Sequence, residues 1–104
     1  MTITISAKDF KLTPSIKEYI EEKFSRLQKF HPQLSRIGVE LEVDHNVTKG
    51  FKNRIEIWVY LPSRTLEAGV KAEHMREAID LVYPKIERQL VKAKEELEAK
   101  RPST

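Results

Sequence analysis

The sequence predicts an α+β fold in the order β-α-β-β-β-α, a four-stranded mixed sheet with two helices packed on one face. Three observations carry this. Residues 37–44, 54–61 and 66–73 alternate between apolar and polar side chains, the period of a half-buried strand. Residues 16–30 and 79–97 carry apolar side chains at helical spacing. The three strands follow one another through short connections, whereas the segment at the N-terminus is separated from them by a helix.

The elements follow in order. Ile3 and Ile5 alternate with Thr2, Thr4 and Ser6, a short strand, and residues 8–12 connect it onward. Thr13-Pro14 starts a helix, because Thr caps and Pro suits the first helical position. Ile16, Tyr19, Ile20, Leu27 and Phe30 give that helix its apolar face to about Phe30, and His31-Pro32 ends it. Ile37, Val39, Leu41 and Val43 alternate with Gly38, Glu40, Glu42 and Asp44, the clearest strand of the chain. Residues 46–50 read as a turn. Ile55, Ile57, Val59 and Leu61 face opposite Arg54, Glu56, Trp58 and Tyr60. After the tight Pro62-Ser63-Arg64 connection, Leu66, Ala68, Val70 and Ala72 alternate with Glu67, Gly69, Lys71 and Glu73. The last helix spans 75–99, and 101–104 form a frayed tail.

Short loops make the last three strands antiparallel, and a right-handed crossover sets the first strand parallel to the second. Every strand has one apolar face, so both helices must cover the same side. Pro84 lies inside the last helix, where it removes a backbone donor and crowds the preceding turn. The apolar period continues past it, which reads as a kink. Two shorter helices are the alternative.

At 104 residues the chain fits one domain with one core, 1–104. With no cysteine it has no disulfide framework and no thiol nucleophile or ligand. No apolar run approaches the roughly 20 residues of a membrane span, and the N-terminus lacks the layout of a secretory signal. These features together suggest a cytoplasmic protein. His31, His45 and His74 are scattered without metal-ligand spacing. Glu21-Glu22 and Glu95-Glu96 are helical neighbours that splay apart. No GxSxG, P-loop or HExxH pattern occurs. The reading is therefore not an enzyme, with no cofactor and no metal.

The net charge of +3 is mild, so its distribution matters more. Glu40, Glu42, Asp44, Glu56 and Glu67 outnumber Arg54 and Lys71 on the open sheet face, where Trp58 and Tyr60 also point. Exposed strand aromatics suit an RNA-stacking sheet, but the acids oppose it, and covering the pleat is the competing role. The helices have the opposite bias. Lys23 and Arg26 flank the first apolar stripe, with Lys29 a turn further. Lys23 lies close to the middle of that stripe, where a lysine snorkels to the rim. Lys85, Arg88 and Lys92 fall at i, i+3, i+7 on the last helix, away from its apolar stripe of Ile79, Val82, Ile86, Leu90 and Leu97, with Gln89 beside them and Lys94 to one side. Each row alone is an ordinary solvated face. Two rows on one helical layer point to a shared phosphate-reading surface.

The segments LTPSIKEYIEEKFSRLQKF, MREAID and above all KIERQLVKAK resemble the ribosome hibernation promoting factor family, which includes ribosome-associated inhibitor A and proteins once described as modulating an alternative sigma factor. The resemblance extends over essentially the whole chain. It implies a fold like a double-stranded-RNA-binding domain with an added strand. It also implies a cytoplasmic bacterial stress or stationary-phase factor that binds the small ribosomal subunit, rRNA and ribosomal proteins alike. Such a factor lies where messenger RNA and tRNA would lie and inhibits translation by occupancy, acting as a monomer when free.

Carried over by position, the rRNA-contacting residues are Lys23, Arg26, Lys85, Arg88 and Lys92. Gln89 and Lys94 match some members and Lys29 matches part of the family. His74 and Arg76 depart from the usual Asp and Tyr, which removes the usual carboxylate cap. Pro84 replaces a good helix residue, and Glu95 and Glu96 dilute a tail that is often more basic. With neither a long dimerising second domain nor an extended acidic tail, the short hibernation-promoting type fits best. Two other readings stay open: a protein-interaction module modulating a sigma factor through the sheet face, and a free-standing RNA-binding domain.

Overall fold

A computed structural model describes residues 1–47 and 49–100; the tail expected at 101–104 lies outside the described residues, as does position 48 within the expected turn. The order is β1 (Thr2–Lys8), α1 (Pro14–Ser25), a 3₁₀ helix (Arg26–Phe30), β2 (Arg36–Val43), β3 (Asn53–Tyr60), β4 (Thr65–Ala72) and α2 (Met75–Ala99). The strands lie in the spatial order β1-β2-β3-β4, with β1 parallel to β2 and the other pairs antiparallel.

The Thr13 hydroxyl accepts from the Ile16 N–H at 3.3 Å and Pro14 occupies the first turn, the start expected for α1. Its end differs from expectation. The segment read as helix to Phe30 tightens into 3₁₀ geometry after Ser25. Pro32 disfavours helical backbone at His31, which is extended at φ −155°. The last carbonyls are then satisfied by shorter-range bonds such as His31 N–H to Gln28 C=O at 3.4 Å.

α2 lies over β3 and β4 and α1 over β1, all on one side of the sheet. Ile20, Phe24, Leu27, Ile37, Leu41, Ile55, Ile57, Val59, Ile79, Val82, Ile86 and Leu90 are fully buried between them. Phe24, absent from the expected apolar face of the first helix, is among the largest of these and stacks on Tyr83 at 6.1 Å between ring centroids. Leu97, expected in the buried stripe, is only half-buried, and Met75, Ala78 and Ala93 complete the stripe instead. Ile3 and Ile5 are also half-buried, because β1 is an edge strand.

α2 runs unbroken through Pro84, so the alternative of two shorter helices does not hold. Ala78, Ile79 and Val82 before the proline and Ile86, Leu90 and Ala93 after it are buried in the core and keep the helix continuous across one missing bond. His74 is its N-cap and makes no side-chain cap bond; Glu77 supplies the acid of the first turn.

On the open face the register sets Thr2, Arg36, Tyr60 and Thr65 in one row, and Thr4, Gly38, Trp58 and Glu67 in the next. The bottom row is Lys8, Glu42, Arg54 and Lys71. Arg36 and Lys8 therefore join this face, and its charges nearly balance. Alternation within single strands did not count them, because they stand at strand ends. The Trp58 and Tyr60 rings lie across Gly38, where an added Cβ would meet them at 3.7–3.8 Å. The Arg36 guanidinium stacks on Tyr60 at 4.0 Å. The aromatics cover the pleat, and one ring face is already occupied.

Candidate nucleic-acid interface

One stripe of α2 is buried, so its remaining turns face water, and Lys85, Arg88 and Lys92 are exposed. Among the ion pairs of the described residues none involves these three. Their charges are uncompensated at short range on a rigid helix, a suitable arrangement for phosphate oxygens. Gln89, between them and β4, donates its amide to the Glu67 carbonyl at 2.8 Å and so ties α2 to the edge of the sheet. Lys94 pairs with Glu98 at 3.9 Å, one turn on. Such an exposed pair costs little to open.

The cations of the first helical segment are placed differently from one another. Arg26 is exposed and pairs weakly with Glu22 at 3.6 Å. Lys29 is exposed, its ammonium 5.1 Å from the Phe30 ring centroid. Lys23 is half-buried in the seam between α1 and α2. Its ammonium lies 3.1 Å from the Asp80 carboxylate, 5.7 Å from the Tyr19 centroid and 5.2 Å from that of Tyr83. It snorkels, as its place on the stripe implies, into a ready-made counter-charge. The Tyr19 hydroxyl donates to the same carboxylate, and Arg76 stacks on Tyr19 at 4.4 Å.

The titration behaviour of this seam follows from its contacts. Burial pushes the Asp80 carboxyl up, but the hydrogen bonds from Tyr19 and Lys23, with the charges of Lys23 and Arg76, outweigh it and hold Asp80 below its ordinary value. The bond to Asp80, with burial, raises the Tyr19 phenol. Burial raises Tyr83.

Asp80, Tyr19 and Tyr83 were missed as partners of the basic surface. The available signal was a lysine near the middle of an apolar stripe, whose ammonium, brought to the rim of the seam, favours an acid close by. Periodicity cannot say which acid.

His31, expected as one of three scattered histidines, is buried at the C-terminal cap of the 3₁₀ helix. Its Nδ1 accepts from the Gln33 N–H at 3.1 Å, which puts the proton of the neutral ring on Nε2. Burial lowers its pKa, and the charges of Lys94 and Arg64 lower it further. His45 contacts the Asp9 carbonyl through Nε2 at 3.0 Å. Among the described residues no group of three His, Asp or Glu side chains is arranged to hold a metal ion, and no helix is long and apolar enough to cross a membrane.

Residues 3–98 match the family described as sigma 54 modulation protein / S30EA ribosomal protein. The chain is 32% identical over 95 residues to the ribosome hibernation promoting factor of Azotobacter vinelandii, covering 91% of this chain and 84% of that protein. It is 34% identical over 101 residues to ribosome-associated factor Y of Haemophilus influenzae, covering 97% of this chain and 90% of that one. In three dimensions it resembles a ribosomal subunit interface protein from Coxiella burnetii, with a TM-score of 0.80 and 26% identity over 90% of this chain and 98% of that one.

Proposed function

Since the chain belongs to the sigma 54 modulation protein / S30EA ribosomal protein family, we propose that it is a ribosome hibernation factor that binds the small ribosomal subunit through the outward faces of its two helices. Its relatives are named as ribosome-associated and hibernation factors, and the role in ribosome hibernation follows from that kinship. The finer reading is that residues 1–104 act in the cytoplasm as one ribosome-binding domain, monomeric when free. They occupy the channel of messenger RNA and tRNA and block translation by their presence under stress or in stationary phase.

One observation carries this reading. Lys85, Arg88 and Lys92 are exposed, and among the described residues they form no ion pair, on a helix whose opposite side is core. The proposed surface comprises these with Gln89 and Lys94 on α2, and Lys23, Arg26 and Lys29 on the α1 side. The sheet face, with balanced charges and aromatics laid on Gly38, offers phosphate no comparable surface.

The test is co-sedimentation with small subunits. Arg88→Glu with Lys92→Glu abolishes binding while leaving the circular dichroism spectrum intact; Trp58→Ser with Tyr60→Ser leaves binding nearly unchanged. The reverse pattern overturns the helical surface in favour of the sheet. In cell-free translation, inhibition is stoichiometric with ribosomes and is relieved by excess initiator tRNA and messenger RNA. Inhibition far below one protein per ribosome overturns occupancy.

A further inference from the structure

We propose that the cavity under the C-terminal end of α2 takes the base of one unpaired nucleotide of RNA, whose phosphate Arg64 and Lys100 hold at the rim; this rests on the RNA-binding reading above. The cavity measures about 220 Å³ and lies between His31, the β3–β4 connection and the last turns of α2. Leu61 and Ala93 are buried and Leu97 is half-buried, so its inner wall is apolar. One polar group breaks that wall. His31 is 2% exposed, and its Nδ1 is taken by the Gln33 N–H. Among the described residues its Nε2 has no hydrogen-bond partner, yet no sealed polar side-chain atom is left unpaired there. Nε2 therefore reaches open space, and the space that His31 borders is this cavity.

The tautomer fixed by Gln33 puts a proton on Nε2. Burial, with the charges of Lys94 and Arg64, keeps the ring neutral. The wall thus offers one neutral donor in an apolar setting, which suits a flat, largely apolar ring with an acceptor on its edge. An unstacked nucleobase has that character. The volume agrees. One water takes up about 30 Å³, so a lone bridging water leaves most of the cavity empty. Pockets for drug-sized ligands begin near about 300 Å³, so a ring enters while its phosphate stays outside. At the rim the exposed Arg64 and Lys100 outnumber Glu96, which pairs with Arg64 at 3.1 Å. The Leu61 N–H donates to the Arg64 carbonyl at 2.9 Å, which closes the turn and holds Arg64 in place. Glu96 and Lys100 follow Lys92 at successive steps of four residues, each about 6 Å along the helix. A strand bound along Lys85, Arg88 and Lys92 therefore runs on to the rim.

The experiment is a nuclear magnetic resonance titration of the nitrogen-15-labelled full chain. The probes, in separate samples, are hexauridylate and hexaadenylate RNA, inorganic phosphate, and a short peptide with a C-terminal leucine. An RNA hexamer shifts the His31 ring nitrogens saturably, together with the backbone amides of Arg88 and Lys92; phosphate and peptide leave the ring unmoved. His31→Phe removes the donor and weakens hexamer binding about two- to tenfold, the range of one hydrogen bond. Ala93→Met fills the cavity while keeping His31, weakens binding likewise, and serves where His31→Phe does not fold. A His31 ring unmoved by either hexamer, or moved equally by phosphate, overturns the pocket, and so does unchanged affinity in both variants. Movement with the peptide alone gives the pocket to a protein partner and overturns the nucleotide. The underlying reading is judged separately, by co-sedimentation of Arg88→Gln with Lys92→Gln on small subunits. Undiminished binding there removes the RNA surface itself; lost binding there with an unmoved His31 removes only the pocket.

Discussion

Replacing Pro84 with Ala tests how far α2 is strained where it passes its proline. Pro84 has no N–H, so the Asp80 carbonyl four residues earlier lacks its helical partner, and the ring crowds that carbonyl. The residue is exposed, so the substitution removes no core packing. In a helix interior Ala is favoured over Pro by about 3 kcal/mol. Two effects reduce this. Water can reach the carbonyl of an exposed turn, so the regained hydrogen bond is worth about 0.5–1.5 kcal/mol net. Ala also loosens the unfolded chain, which costs about 0.4–1 kcal/mol. A net gain of about 1–2 kcal/mol remains, and a domain of this size gains about 4–8 °C in Tm for each kcal/mol. Thermal unfolding followed at 222 nm should therefore show a rise of at least about 4 °C. An unchanged or lower Tm refutes the reasoning: it means that Ala78, Ile79, Val82 and Ile86 are packed around the backbone path the proline imposes, so that straightening the helix costs the core more than the new bond returns.

Arg88→Gln combined with Lys92→Gln should flatten the salt slope of small-subunit binding by about 1.4–1.8, two cations at 0.7–0.9 each, with Tm unchanged because both side chains are exposed; an equal slope in the variant contradicts the assignment. Phe24→Ala should cost about 3–5 kcal/mol of stability in urea titration, since the ring is fully buried and stacked on Tyr83. His31 makes stability pH-dependent. Its folded pKa lies below the ordinary value, so the neutral ring is the folded form. Its contribution is complete above about pH 6.5 and is lost as pH falls through the lower folded value. The urea midpoint should drop between pH 7.5 and 5.5 in the native chain and change less in His31→Gln; equal drops in both exclude His31 as the cause.

The strands were legible because alternation is a strong signal where one face is buried: in β2 and β3 every second residue from Ile37 to Val43 and from Ile55 to Val59 is core. The register was not legible. It required the pairing of Arg36 with Tyr60 and of Lys8 with Glu42, residues at strand ends whose side is decided by their neighbours across the sheet. The end of α1 was misjudged because apolar spacing to Phe30 is compatible with both helix types over a single turn. Pro32, acting on His31, decided between them.

The sequence by itself determined the element order, the side of the sheet that is covered, and the row Lys85, Arg88, Lys92 as a solvent-facing face of the last helix. These depend on the periods of backbone geometry, which act over a few residues at a time. Only the tertiary structure distinguished between cations that look alike in the sequence. Lys23, near the end of α1, and Arg26, at the start of the 3₁₀ helix that continues it, stand one turn apart, yet one is enclosed by Tyr19, Tyr83 and Asp80 and the other is open. Tyr19 and Asp80 are 61 residues apart, and no local period relates them. The packing of α1 on α2 brings them together, and a charge becomes free or neutralised according to the nearest opposite charge in space, whatever its place along the chain.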